Sequence, residues 1–169
     1  MYAIVKTAAA FLVAALLAAP AAGRVLRATV EVRGMSCPFC AFGVEKRLRK
    51  VAGAGGVEVS MNESRATVRA EDGASIDALA LPEAVRRAGF TPGPVTVEAE
   101  GTVRRDGERW LLVDGEAILR LAVGEEHPEL AELLAELARQ ETPARLRGTL
   151  DPAAGDPPLL VAVEPVAER

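Results

Sequence analysis

Gly34-Met35-Ser36-Cys37-Pro38-Phe39-Cys40 separates two stretches of different hydrophobic rhythm. Upstream, Ala28-Thr29-Val30-Glu31-Val32 alternates as a half-buried strand does. Downstream, Cys40, Val44, Leu48 and Val51 recur at steps of four, four and three, one apolar stripe of a helix. Glu45, Lys46, Arg47, Arg49 and Lys50 fill its other faces as a solvated surface. The chain therefore passes from strand to helix through a loop carrying two cysteines. Gly53-Ala54-Gly55-Gly56 ends the helix. Val57 to Met61 reads as a strand, with Met61 packing in it, Asn62-Glu63-Ser64 as a turn, and Arg65 to Ala70 as the partner strand. Pro82 forbids a continuous helix from Ser75, so a short helix from Pro82 to Ala88, capped by Gly89, follows an irregular lead-in. Pro92-Gly93-Pro94 is predicted to break the chain before a strand from Val95 to Ala99. The order is βαββαβ, the ferredoxin-like split arrangement.

The remainder has another rhythm. Thr102 to Arg105 and Glu108 to Val113 flank Asp106-Gly107, a hairpin signal. Asp114-Gly115 turns into a strand from Ala117 to Val123. Leu130, Leu133, Leu134 and Leu137 define one face of a helix from Pro128 to Gln140. Arg145 to Leu150 and Leu159 to Val163 are strands around a Pro/Gly loop. Three strands, a helix and two strands match the element order of a five-stranded OB-like barrel. The fold class is α+β, divided as residues 1–23, 24–98 and 99–169, with a soft boundary because the Val95 strand can run into the second module.

Charge divides the same way. From Arg24 to Val97, 11 Lys/Arg stand against 8 Asp/Glu, a net of +3; from Glu98 to Arg169, 8 stand against 16, a net of −8. An acidic barrel with one tryptophan, Trp110, does not suit nucleic acid, which demands a basic, aromatic surface. Trp110 is assigned to the core. Residues 1–23 read as an export signal. Lys6 precedes an apolar run from Thr7 to Ala19, and small residues follow at Ala21-Ala22-Gly23. A periplasmic or otherwise exported location follows, with an uncleaved membrane anchor over residues 7–19 as the alternative.

The chain has two cysteines, three positions apart. In an exported protein a disulfide is the first thought, but so small a loop restrains little of the unfolded chain. That favours metal or redox work. Thiolates are soft ligands that select ions such as Cu(I) and Hg(II), and two suffice for a near-linear site. Structural zinc wants four ligands, and the only histidine, His127, belongs to the other module as a helix-start residue. Positioned at a helix start, the cysteines gain from unpaired amide groups that favour the thiolate.

The motif Gly34-Met35-Ser36-Cys37-Pro38-Phe39-Cys40 resembles the Gly-Met-x-Cys-x-x-Cys signature of the heavy-metal-associated domain. The family includes copper chaperones, N-terminal domains of copper-exporting ATPases and periplasmic mercury-binding proteins. The resemblance spans Leu26 to Ala99. It implies a single soft metal ion, Cu(I) or Hg(II), on Cys37 and Cys40. It also implies a Met35 that packs under the loop and a Phe90 that faces it and shields it from water. Pro38 departs from the family's smaller or polar residues and fits a first helical turn. Phe39 is expected to lie exposed where a partner can pack on it. The implied role is a non-enzymatic metal-binding protein or metallochaperone. Its expected partner is a membrane metal transporter or another thiol-bearing carrier. A monomer is expected, with a metal-bridged dimer as a further option. The rival readings are a thiol–disulfide redox protein, suggested by Cys-Pro-Phe-Cys, and a metal-responsive interaction module.

Overall fold

The computed structural model describes residues 24–115, 117–124 and 127–166. The export segment read over residues 1–23 lies outside them. No helix among the described residues is long and apolar enough to cross a membrane.

β1 (Arg24–Arg33), α1 (Pro38–Leu48), β2 (Ala54–Ser60), β3 (Arg65–Ala70), α2 (Leu81–Arg87) and β4 (Thr91–Asp106) follow one another in βαββαβ order. The strands align antiparallel as β2-β3-β1-β4. Val25, Ala28, Val30 and Val32 of β1 point to one face, where α1 and α2 pack side by side. Leu48 and Val44 from α1 meet Leu81 and Val85 from α2 there, all fully buried. Each such side chain contributes about 1.5–3 kcal/mol by leaving water.

β4 then runs on past β1 as the first strand of the barrel part of the same eight-stranded sheet. It pairs with β5 (Arg109–Asp114), and β6 (Ala117–Leu121), α3 (Pro128–Gln140), β7 (Pro143–Asp151) and β8 (Leu159–Pro165) follow. The order β4-β5-β6-β8-β7 returns to β4 through a β4–β7 pairing, which closes a five-stranded barrel. β6 and β8 run parallel; the other pairs are antiparallel. The three-strand, helix, two-strand order read from the sequence is the order found.

β4 therefore serves two neighbourhoods. Along one edge it pairs with β1 up to the Arg24–Glu100 register and with β5 from Thr102 onward. Between them sits Gly101, buried, where an added Cβ would lie 2.8 Å from the Val113 carbonyl oxygen. Residues Thr96 to Thr102 pair with β7 along the other edge. Inward-facing residues stay on one side throughout, so Val44 and Leu160 belong to a single core cluster. Trp110 is in that core, with the Arg105 guanidinium 5.1 Å above its ring.

Several expectations are corrected. Pro92-Gly93-Pro94 does not break the chain; it is the start of β4. Only β1 pairs there, beside a register shift, and β7 begins opposite Thr96, so the prolines face an edge that asks for no amide donor. Ala54-Gly55-Gly56 belongs to β2 rather than to a helix stop; α1 already ends at Leu48. Val51, read as part of the α1 stripe, is buried from the following turn. Met61 lies one residue beyond β2, in the turn, where its carbonyl accepts from Ser64 N at 3.2 Å. The short second helix is present, preceded by a 3-10 turn over Ala78–Ala80.

Candidate metal centre

The loop is built by three local choices. Gly34 takes φ +93, a left-handed conformation that costs other residues free energy, and turns the chain off the end of β1. Cys37 is extended (φ −145, ψ 152) and is the N-cap of α1. Pro38 holds the first helical position, where its missing N–H costs nothing and its ring presets φ.

This places Cys40 one turn in, over its partner. The Cys40 amide donates to the Cys37 carbonyl at 2.9 Å and to Cys37 Sγ at 3.2 Å. Ala41 N donates to the same carbonyl at 3.3 Å. The two sulfurs are joined as a disulfide, with Cα atoms 5.2 Å apart. Both cysteines are half-buried. In the reduced protein the same arrangement offers two adjacent sulfur donors at a helix N-terminus, where amide groups favour negative charge.

Phe90 and Met35 are half-buried and pack against the core cluster. Phe90 follows Gly89 at the end of α2, and its amide donates to Val85 O at 3.2 Å. Its ring borders the loop: a Cβ built on Gly34 would be 3.9 Å from Phe90 Cδ1. The α2–β4 junction thus abuts the base of the loop. Phe39 projects into solvent with 87% of its surface exposed, and so does Phe42 with 65%. Phe42 was missed in the sequence. The signal for it was its spacing: three after Phe39 and off the 40-44-48 stripe, it has to face outward.

Charges near the loop are of two kinds. Arg33, at the end of β1, holds Glu31 through Nε–Oε1 at 2.8 Å. That hydrogen bond, with the Arg33 charge in support and desolvation opposing, keeps the Glu31 carboxyl below its ordinary range. The same hydrogen bond raises the Arg33 pKa. Farther along α1, Arg49 is tied to Glu45 at 2.6 Å. Lys46, Arg47 and Lys50 are exposed, and among the described residues none forms an ion pair.

His127 is at the N-cap of α3, its Nδ1 3.2 Å from Glu129 Oε1, in the barrel half of the chain. Among the described residues no three of His, Cys, Asp and Glu gather around one point. Among the described residues a tetrahedral site therefore has no donor set, whereas a pair of thiolates suits a soft two-coordinate ion.

Residues 29–91 match the model of the heavy-metal-associated domain. No curated protein sequence matches the chain. Among solved structures, oxidised MerP from Ralstonia metallidurans CH34 is similar at 30% identity, over 40% of this chain and 92% of that one, with a TM-score of 0.35. A copper-binding domain from HMA7, a P-type ATPase, aligns at 28% identity over 40% and 90%, with a TM-score of 0.36. The CopZ metallochaperone aligns at 22% identity over 40% and 98%, with a TM-score of 0.36.

Proposed function

Because residues 29–91 belong to the heavy-metal-associated domain family, we propose that the chain is an exported carrier that holds one Cu(I) or Hg(II) between Cys37 and Cys40 and hands it on. The observation that carries this reading is the pair of adjacent sulfurs, on two half-buried cysteines, at the start of α1. Soft thiolates select soft cations, and two of them complete a near-linear coordination.

Loading requires the dithiol. A reducing dithiol attacks one sulfur of the disulfide, a mixed disulfide forms, and a second attack releases Cys37 and Cys40 while the reductant becomes oxidised. The ion then binds both thiolates. Transfer is ligand exchange without change of oxidation state. An incoming thiolate forms a third metal–sulfur bond, one of the original bonds breaks, and the freed thiolate takes a proton from water. The exposed loop gives the incoming group access, and Phe90 and Met35, which pack against the core, would limit water on its inner side. A membrane metal transporter or a thiol-bearing carrier would be the recipient, and a periplasmic or anchored location accords with the Lys6 and Thr7–Ala19 reading.

The reduced full chain is expected to take up one equivalent of Cu(I) or Hg(II) in competition with a chelator. Cys37→Ser/Cys40→Ser is expected to lower affinity by several orders of magnitude with an unchanged circular-dichroism spectrum. Tight uptake by that double variant would end the model. Elemental analysis of protein from cells challenged with each metal assigns the ion. A second reading, thiol–disulfide exchange, is favoured by the joined state of the cysteines. Reduction of insulin by the dithiol form at rates typical of redox proteins would select it.

A further inference from the structure

We infer that the outward face of α1 docks on an anionic bilayer surface. Phe39, Phe42 and Lys46 follow one another along it, and Arg49 at the helix cap continues the line. By helical geometry they fall within an arc of about 100°, opposite Val44 and Leu48, which are buried. Two largely exposed phenylalanines on one helical turn are not needed by the core, and exposed apolar side chains grouped this way mark a contact surface.

The order of residues along the face selects the occupant. The aromatic rings are at the tip, beside the cysteines, and Lys46, Arg47 and Lys50 are set back toward the other end. Rings at one end with flexible cations behind them suit a lipid surface, where aromatic side chains enter the acyl boundary and lysines keep their charge in the headgroup layer. The one carboxylate on this stretch, Glu45, is already held by Arg49. Charge across the whole chain agrees. The half that bears α1 is positive and the barrel half negative, +3 against −8, so a negative surface attracts the first and repels the second. Docked in this way, the loop of Cys37 and Cys40 lies at the membrane. The contact does not require metal, so it stands or falls separately from the carrier function.

The test uses the full chain, metal-free and oxidised, with 4-fluorophenylalanine in place of its four phenylalanines. Fluorine spectra are recorded in bicelles containing spin-labelled lipid. In bicelles rich in phosphatidylglycerol, the Phe39 and Phe42 resonances are expected to broaden several-fold more than that of half-buried Phe90. High salt or Lys46→Glu/Lys50→Glu should remove most of that difference, and phosphatidylcholine bicelles should show little of it. Phe11, in the N-terminal apolar run, reports separately on that segment. The inference is overturned if Phe11 alone broadens. It is equally overturned if Phe39 and Phe42 respond the same way to neutral lipid and to charge reversal. Concentration-dependent shifts of Phe39 and Phe42 without lipid, unchanged when bicelles are added, would assign the face to a second copy of the chain instead.

Discussion

Gly34 shows how one residue sets the site. Its φ of +93 lets β1 end and α1 begin within a few residues, with the Phe90 ring alongside. Gly34→Ala leaves the ring at van der Waals distance but forces a left-handed alanine, a cost of about 1–2 kcal/mol. A urea midpoint lowered correspondingly, with the cysteines still able to join, is the expected outcome. Glu31 offers a pH readout beside the same loop. Its carboxyl is held below the ordinary range by Arg33, so the folded state binds a proton there less readily than the unfolded chain. The pair's contribution is present above the ordinary glutamate range and fades as pH falls through the lowered midpoint. A carboxyl-carbon NMR titration should give that lowered midpoint, and Arg33→Ala should return it toward the ordinary value. At this scale the cysteine pair was legible, because spacing and flanking residues state it directly. Phe90 could be tied to the loop only through family resemblance, since nothing local says which loop an aromatic faces.

Helices repaid sequence reading better than strands. α3 runs from Pro128 to Gln140 as read, because a proline start and leucines at helical spacing leave little freedom. α1 was placed correctly but drawn too long: Val51 is apolar and in step, yet it packs from the turn. Strand limits depend on which neighbour offers an edge, and that is not local information. β2 starts in a glycine pair because β3 is there to pair with it, and β4 starts in a proline pair because only one of its edges is used. The stripe itself predicts a large effect. Leu48 is fully buried between α1, α2 and the sheet, and Leu48→Ala is expected to cost about 2–5 kcal/mol by transfer and cavity terms. Chemical denaturation measures it; a loss below about 1 kcal/mol would show that the helix pair is not a packed unit.

Across the whole molecule, β4 and the continuous core argue for joint unfolding. Trp110 fluorescence reports the barrel, and amide exchange in α1 reports the ferredoxin-like part. Both are expected to lose structure at the same denaturant concentration, as in a two-state transition. Clearly separated midpoints would show two independent units. Gly101 is the place to disturb the connection. A Cβ there meets backbone at 2.8 Å, so Gly101→Ala should destabilise both reporters together, by roughly 1–3 kcal/mol. The change of charge near Glu98 suggested two modules, whereas the expectation that the Val95 strand can run on describes β4, one strand through that position whose pairing involves partners from Arg24 to Thr149.

That strand restricts how the gene can be divided. A stop codon after Glu98 would cut β4 in half and strip β7 from it. The shortened product would carry a bare, valine-rich border with open amides, the kind that recruits other chains and precipitates. Grafting the metal loop onto another scaffold, or exchanging the barrel between relatives, therefore has to keep Thr91–Asp106 as one indivisible cassette.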